Sequence, residues 1–76
     1  MKENALLFPN VHAELARAGL NASMIADFMG VSRQAIYGKL NGRVSITLKD
    51  MEQIQKFFKA KGCGTFTLDY LFKNDG

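Results

Sequence analysis

The chain has 76 residues and a net charge of +3, from ten Lys and Arg against seven Asp and Glu. This length allows one small domain and excludes a catalytic domain joined to a separate binding domain. Hydrophobic residues make up 47% of the chain and charged residues 22%, a balance typical of a folded globule and not of a disordered segment.

The sequence has one cysteine, Cys63, so no intrachain disulfide is available. The longest apolar run, residues 5–8, is far shorter than the roughly 20 residues of a membrane-spanning helix. No basic segment followed by a long apolar run opens the chain, so no secretory signal is expected. We therefore expect a protein of the cytoplasm that does not enter a membrane.

Apolar residues at helical spacing, separated by glycines, predict five short helices and no strand. Pro9 and Gly19 bracket the first helix, because proline is favoured at a helix start and glycine just beyond a helix end. Each later helix follows a residue that can cap an N-terminus, namely Asn21, Ser32, Thr47 and Thr67. The predicted helices span about 10–18, 22–29, 33–41, 48–60 and 68–73. The expected fold class is a compact all-α bundle forming one domain over 1–76.

The segment ADFMGVSRQAIYGKLNG, residues 26–42, has the spacing of two helices that cross at a steep angle. Gly30 permits the positive φ that a tight turn requires, and Ala26 allows the second helix to approach closely. Val31 and Ile36 are compact β-branched side chains that can fill the angle between the helices. This pattern predicts a helix-turn-helix motif over 21–42.

The third predicted helix has a polar face opposite its predicted buried residues, Ile36 and Leu40. At about 100° per residue, that face carries Gln34, Tyr37, Gly38 and Asn41. It holds no acidic residue. Because amides pair with base edges in the major groove, the face is typical of a helix that reads DNA.

The chemistry of the side chains predicts individual roles. Gln34 can pair in bidentate fashion with adenine, and Arg33 can reach guanine or a phosphate. Gly38 would let the backbone come close to the bases. Phosphates suit three further residues, Asn21, Asn41 and Arg43.

The stretch from Asn21 to Gly42 resembles the helix-turn-helix of the lambda-repressor-like and Cro-like (XRE-type) family of bacterial and phage transcription regulators. The segments FPNVHAELARAGL, ITLKDMEQIQKFF and TLDYLF are similar to the flanking helices of small phage-type regulators, so the resemblance covers nearly the whole chain. It implies a five-helix domain in a bacterial host that binds double-stranded operator DNA as a homodimer, with the third helix in the major groove.

Carried over by position, the resemblance assigns base reading to Arg33, Gln34, Tyr37 and Gly38. The residues expected to contact phosphates are Asn21, Ser32, Lys39, Asn41 and Arg43. Two positions depart from the family's pattern. Ala22 lacks the Gln or Thr side chain of many relatives, and Lys39 stands where relatives often have an apolar residue. On the helical wheel Lys39 flanks the core, from which its long side chain can extend toward the DNA backbone.

The C-terminal apolar cluster, defined as Phe66, Leu68, Tyr70, Leu71 and Phe72, has two interpretations. In the first, it closes the core over the first and fourth helices. In the second, part of it stays exposed and forms a self-complementary dimer face, as relatives often use the last helix.

The sequence therefore predicts a non-enzymatic, sequence-specific DNA-binding regulator of phage or prophage type, acting as a repressor. The alternative is a protein-interaction module, a modulator or antirepressor that binds a second phage regulator. The modest charge, the short side chain of Ala22 and the apolar C-terminal cluster keep this alternative open. No nucleophile with a base partner, metal-ligand set or phosphate-binding loop is visible, so no metal or other cofactor is expected.

Overall fold

The computed structural model describes residues 7–73, in which five helices are connected by short loops. They are α1 (Pro9–Ala18), α2 (Ala22–Met29), α3 (Arg33–Leu40), α4 (Leu48–Ala60) and α5 (Leu68–Leu71). No strand occurs within residues 7–73, which agrees with the predicted all-α class. α3 and α5 end before the predicted positions 41 and 73, because Asn41 and Phe72 leave the helical conformation with φ of −104° and −107°.

Side-chain caps define where four of the helices begin. The side-chain oxygens of Asn21, Ser32, Thr47 and Thr67 each accept a hydrogen bond from a backbone N–H three residues later, at 3.1 Å. Each cap satisfies one of the N–H groups that a helix start leaves unpaired. In α4 the cap is reciprocal, because the Asp50 carboxylate accepts a hydrogen bond from the Thr47 backbone N–H at 3.1 Å.

The connection between α2 and α3 is short because the chain reverses at Gly30. This residue has φ of 72°, in the left-handed region that glycine adopts without steric cost. The Val31 N–H then donates to the Ala26 carbonyl at 3.0 Å, and α3 begins at Arg33. The turn brings α2 and α3 into direct contact.

The core is formed by apolar side chains from all five helices. The side chains with no exposed surface are Val11, Ile25, Ile36, Ile54, Phe57, Phe58 and Leu71. Glu14 is the one charged residue buried in the described part of the chain, residues 7–73. Its carboxylate accepts hydrogen bonds from Arg17 at 3.0 Å and from the Tyr70 hydroxyl at 2.5 Å, which offsets the cost of burying a charge.

Most of the C-terminal apolar cluster faces inward. α5 packs on α1 and α4, and Leu71 is fully buried. Phe66 and Phe72 pack edge-on against Phe58 and Phe8, with ring centroids 5.5 and 5.2 Å apart. Leu71 is therefore not available to a dimer face, because none of its surface reaches solvent in the folded chain.

None of the helices within residues 7–73 has the length and apolar character needed to cross a membrane.

Candidate nucleic-acid interface

One side of α3 is exposed while the other forms part of the core. Gln34 and Tyr37 lie on the exposed side. Ile36 and Leu40 lie opposite and are 0% and 2% exposed. The burial pattern of α3 therefore follows the helical wheel at Gln34, Ile36, Tyr37 and Leu40. Arg33 differs, because the wheel places it near Leu40 and it is nevertheless exposed as the first residue of α3.

Gly38 departs from the prediction, because it is buried although the wheel places it on the outer face. Val44 folds back over it from the following loop, and its backbone N–H donates to the Gly38 carbonyl at 3.0 Å. A Cβ atom added at position 38 would lie 2.8 Å from Val44 Cγ2, closer than real Cβ contacts allow. The Gly38 backbone is therefore covered by Val44, and the expectation that it approaches DNA bases directly stays a prediction that this geometry does not support.

Sequence reasoning missed Val44 as a residue of this surface. Its side chain is 46% exposed, although it is apolar and β-branched. The available signal was its place in the sequence, as an apolar residue between Arg43 and Ser45 in the loop that follows α3. That signal did not indicate where the loop folds, which depends on contacts with α3.

Tyr37 is held by a contact between α2 and α3. Its hydroxyl lies 3.1 Å from the Ser23 hydroxyl, within hydrogen-bonding distance. The side chain remains 43% exposed, so the ring forms part of the surface while its hydroxyl is oriented by Ser23. This hydrogen bond fixes the direction of the phenol on the outer face.

Four of the predicted site residues meet Val44 around one open depression of about 330 Å³, which is lined by Gln34, Tyr37, Gly38, Arg43 and Val44. The lining combines an amide, a phenol, an apolar side chain and a guanidinium group. Asn41 supports this loop, because its side-chain oxygen accepts hydrogen bonds from Arg43 N at 3.2 Å and Nε at 3.4 Å. We call this surface the α3–loop surface.

Asn21 and Ser32, both predicted to contact phosphates, lie at the N-termini of α2 and α3. Both residues are exposed. Their side-chain oxygens accept the capping hydrogen bonds, while the Asn21 amide NH₂ and the Ser32 O–H remain donors. A helix N-terminus also favours an anion through the helix dipole and its free N–H groups, so both positions suit a phosphate.

Lys39 takes a different role from the one expected. Its Nζ donates to Asp50 Oδ2 at 2.8 Å, and the two side chains are only 19% and 15% exposed. The ammonium group is thus committed to a carboxylate at the junction of α3 and α4. A phosphate contact by Lys39 stays a prediction, and it would compete with this ion pair.

The ion pair also determines the local charge balance. Burial alone would raise the pKa of the Asp50 carboxyl, but hydrogen bonds from Lys39 and Thr47 more than offset this and hold that pKa below its ordinary value. Lys39 and Asp50 therefore cancel one another as charges. Within residues 7–73, Arg33 and Arg43 form no ion pair. Arg33 lies at the start of α3, and Arg43 lies in the following loop, where its Nε donates to the Asn41 side chain.

Across residues 7–73, no three His, Cys, Asp or Glu side chains are grouped so that they could hold a metal ion.

Comparison of the chain with family models, with characterised proteins and with solved structures gives no match.

Proposed function

We propose that the protein is a sequence-specific regulator that binds double-stranded operator DNA, a repressor of the lambda-repressor-like, phage or prophage type. The observation that carries the proposal is the α3–loop surface, whose lining combines an amide, a phenol and a guanidinium group and includes no acidic side chain. Arg33 is also exposed, at the start of α3. Such a surface is complementary to base edges flanked by phosphates.

The dimensions of α3 support insertion into the major groove. With its side chains an α-helix is about 10–12 Å across, which matches the major groove width of about 12 Å, and the eight residues of α3 extend about 12 Å along its axis. Gln34 and Arg33 would meet base edges, while Arg43, Asn41 and the N-termini of α2 and α3 would meet the flanking phosphates. In this proposal α2, the turn at Gly30 and α3 act as a helix-turn-helix.

A single α3 offers few base-reading side chains, so the proposal includes a homodimer on DNA. Two copies would place their α3 helices about 34 Å apart, one DNA turn, on a near-palindromic operator. The protein would then act in the bacterial cytoplasm by occupying a site that polymerase requires.

The test is selection of bound DNA from a random pool, followed by fluorescence anisotropy on the enriched site. Gln34→Ala should relax preference at one base pair per half-site and weaken binding there by about 1–3 kcal/mol. Arg43→Ala is the matched control, because loss of a phosphate contact should weaken binding to all sequences alike. It should also lower the salt slope, the decrease of log K with log salt concentration, by about 1. If no sequence is enriched at any salt concentration, the proposal is wrong.

A protein-interaction module is the second candidate, and an apolar stripe on α2 and the following turn favours it. Met24, Phe28 and Val31 are 37%, 42% and 37% exposed. A partner repressor bound here would be captured without any DNA shift by this protein alone. Phe28→Ala should then weaken capture of that repressor, whereas Gln34→Ala should leave it unchanged.

A further inference from the structure

We propose that Val44 recognises a thymine, through contact between its methyl groups and the C5 methyl of the base. The inference rests on the proposed DNA-binding function and extends it. It adds a specificity residue that lies in a loop, outside α3.

The first argument is the position of Val44 relative to α3. Its Cγ2 lies 2.8 Å from the point where a Cβ atom at position 38 would stand. Position 38 belongs to the same helix face as Gln34, one turn later. The isopropyl group of Val44 therefore occupies the space that a side chain at position 38 would fill, on the face of α3 that the proposal directs toward the bases. The loop supplies an apolar group that α3 itself lacks.

The second argument is that Val44 is held in place before any ligand arrives. Its N–H donates to the Gly38 carbonyl at 3.0 Å, and the neighbouring Arg43 N–H donates to the Asn41 side chain at 3.2 Å. A β-branched side chain also has restricted rotation about χ1. A contact made by Val44 therefore requires little additional ordering, which favours discrimination between similar bases.

The third argument is chemical complementarity. Val44 is 46% exposed and borders the same depression as Gln34, Tyr37 and Arg43. Among the four ordinary bases, the apolar group displayed in the major groove is the thymine C5 methyl. The amide and guanidinium groups beside Val44 can pair with base edges or a phosphate at the same time. A thymine next to a base read by Gln34 is the occupant that satisfies all of these groups.

The experiment removes the methyl group from DNA without changing its base pairing. In the selected operator, each thymine is replaced in turn by deoxyuridine, and binding is measured by anisotropy. At one position per half-site, the replacement should weaken binding by the wild-type protein about threefold to fourfold, the value of one buried methyl group. For Val44→Ala, the same replacement should change binding less than about 1.5-fold, because the methyl group has lost its contact.

Val31→Ala is the matched control, because Val31 is a similarly exposed valine that does not line the depression. It should keep the full deoxyuridine effect. Circular dichroism checks that each variant is folded. If Val44→Ala does not fold, Val44→Thr keeps the β-branch and replaces one methyl with a hydroxyl, and it should reduce the effect to less than half.

The outcomes separate the inference from the function on which it rests. Sequence-specific binding with no sensitive thymine, or with the same sensitivity in Val44→Ala, overturns the role of Val44 and leaves the DNA-binding proposal standing. Failure to enrich any sequence overturns both. If Val31→Ala also loses the deoxyuridine effect, the effect depends on the stability of the fold and not on a contact made by Val44, and the inference is overturned.

Discussion

Gly38 and Val44 form a pair in which the absent side chain of one residue makes room for the side chain of the other. A glycine inside a helix costs about 1 kcal/mol relative to alanine. The structure explains why a glycine stands at position 38 despite this cost, because Val44 occupies the space that a side chain there would need. Helix stability is thus lower at the position where the α3–loop surface acquires its apolar group.

This pairing predicts a strong coupling between Gly38→Ala and Val44→Ala. In the wild-type background the new Cβ would meet Val44 Cγ2 at 2.8 Å, and the strain of about 1–3 kcal/mol should exceed the gain in helix propensity. In the Val44→Ala background the nearest remaining atom is the Cβ at position 44, 3.5 Å away, so Gly38→Ala should stabilise by about 1 kcal/mol. Urea unfolding of the four proteins measures the difference.

Ser45→Ala serves as the control for that cycle, since Ser45 is exposed and does not line the depression. It should show coupling to Gly38→Ala of less than about 0.5 kcal/mol. An equal effect of Gly38→Ala with and without the Val44 side chain would contradict the steric explanation.

At the scale of elements, one ion pair joins the end of α3 to the start of α4. Asp50 belongs to the capping box of α4 and at the same time accepts the hydrogen bond from Lys39. One carboxylate therefore defines where α4 begins and how α3 is attached to it. The ion pair holds the end of α3 against the start of α4. It therefore also limits the position of the loop between these helices, which carries Arg43 and Val44.

Lys39→Met should lower the free energy of unfolding by about 1–3 kcal/mol at pH 7, because it removes a hydrogen bond from a largely buried carboxylate. The pKa of the Asp50 carboxyl is lowered in the folded state, so its contribution is present above pH about 4 and is lost as the pH falls through the folded pKa. The difference between wild type and Lys39→Met should therefore shrink at pH 3. Urea unfolding at the two pH values provides the measurement.

Lys56→Met is the control, at an exposed position of α4, and it should change the free energy of unfolding little at either pH.

The salt slope of DNA binding adds an independent criterion for Lys39. Lys39→Met should leave that slope unchanged. If Lys39 contacted a phosphate in the complex, the same substitution would lower the slope by about 1. A reduced slope would show that Lys39 leaves Asp50 when DNA is bound.

At the scale of the whole molecule, α5 completes the core although it contains only four residues. Leu71 enters the space between α1 and α4, and the Tyr70 hydroxyl reaches the buried Glu14 carboxylate at 2.5 Å. The Asn10 amide also donates to the Tyr70 carbonyl at 2.7 Å. The two ends of the described chain are therefore joined by both apolar and polar contacts.

Leu71→Ala should lower the free energy of unfolding by about 2–5 kcal/mol, because it leaves a cavity where a fully buried side chain stood. A domain of this size has a total of only about 4–11 kcal/mol, so the variant should unfold well below the wild-type temperature. Thermal unfolding followed by circular dichroism measures this.

Leu68→Ala is the matched control, since Leu68 is only half-buried. Its effect should be less than half as large. A cost at Leu71 as small as that expected for Leu68 would contradict the core position of Leu71, and would return it to the candidate dimer face.

Much of the secondary structure follows from the sequence alone. The caps at Asn21, Ser32, Thr47 and Thr67 were predictable because a cap joins residues three positions apart. The burial of Ile36 and Leu40 in α3 was predictable because helical geometry repeats within four residues. The all-α class and the exposed positions of Gln34 and Tyr37 required no further information.

The composition of the candidate site depended on contacts between elements. A helical wheel places Gly38 outside and does not represent the loop that returns Val44 to it, six positions later. It also gives Lys39 an uncertain direction, which is decided by Asp50, eleven positions away on another helix. The burial of Leu71 likewise depends on α1 and α4 together. The sequence alone determined the helices and the polar face, since these depend on neighbouring residues, whereas only the tertiary structure determined which side chains cover that face.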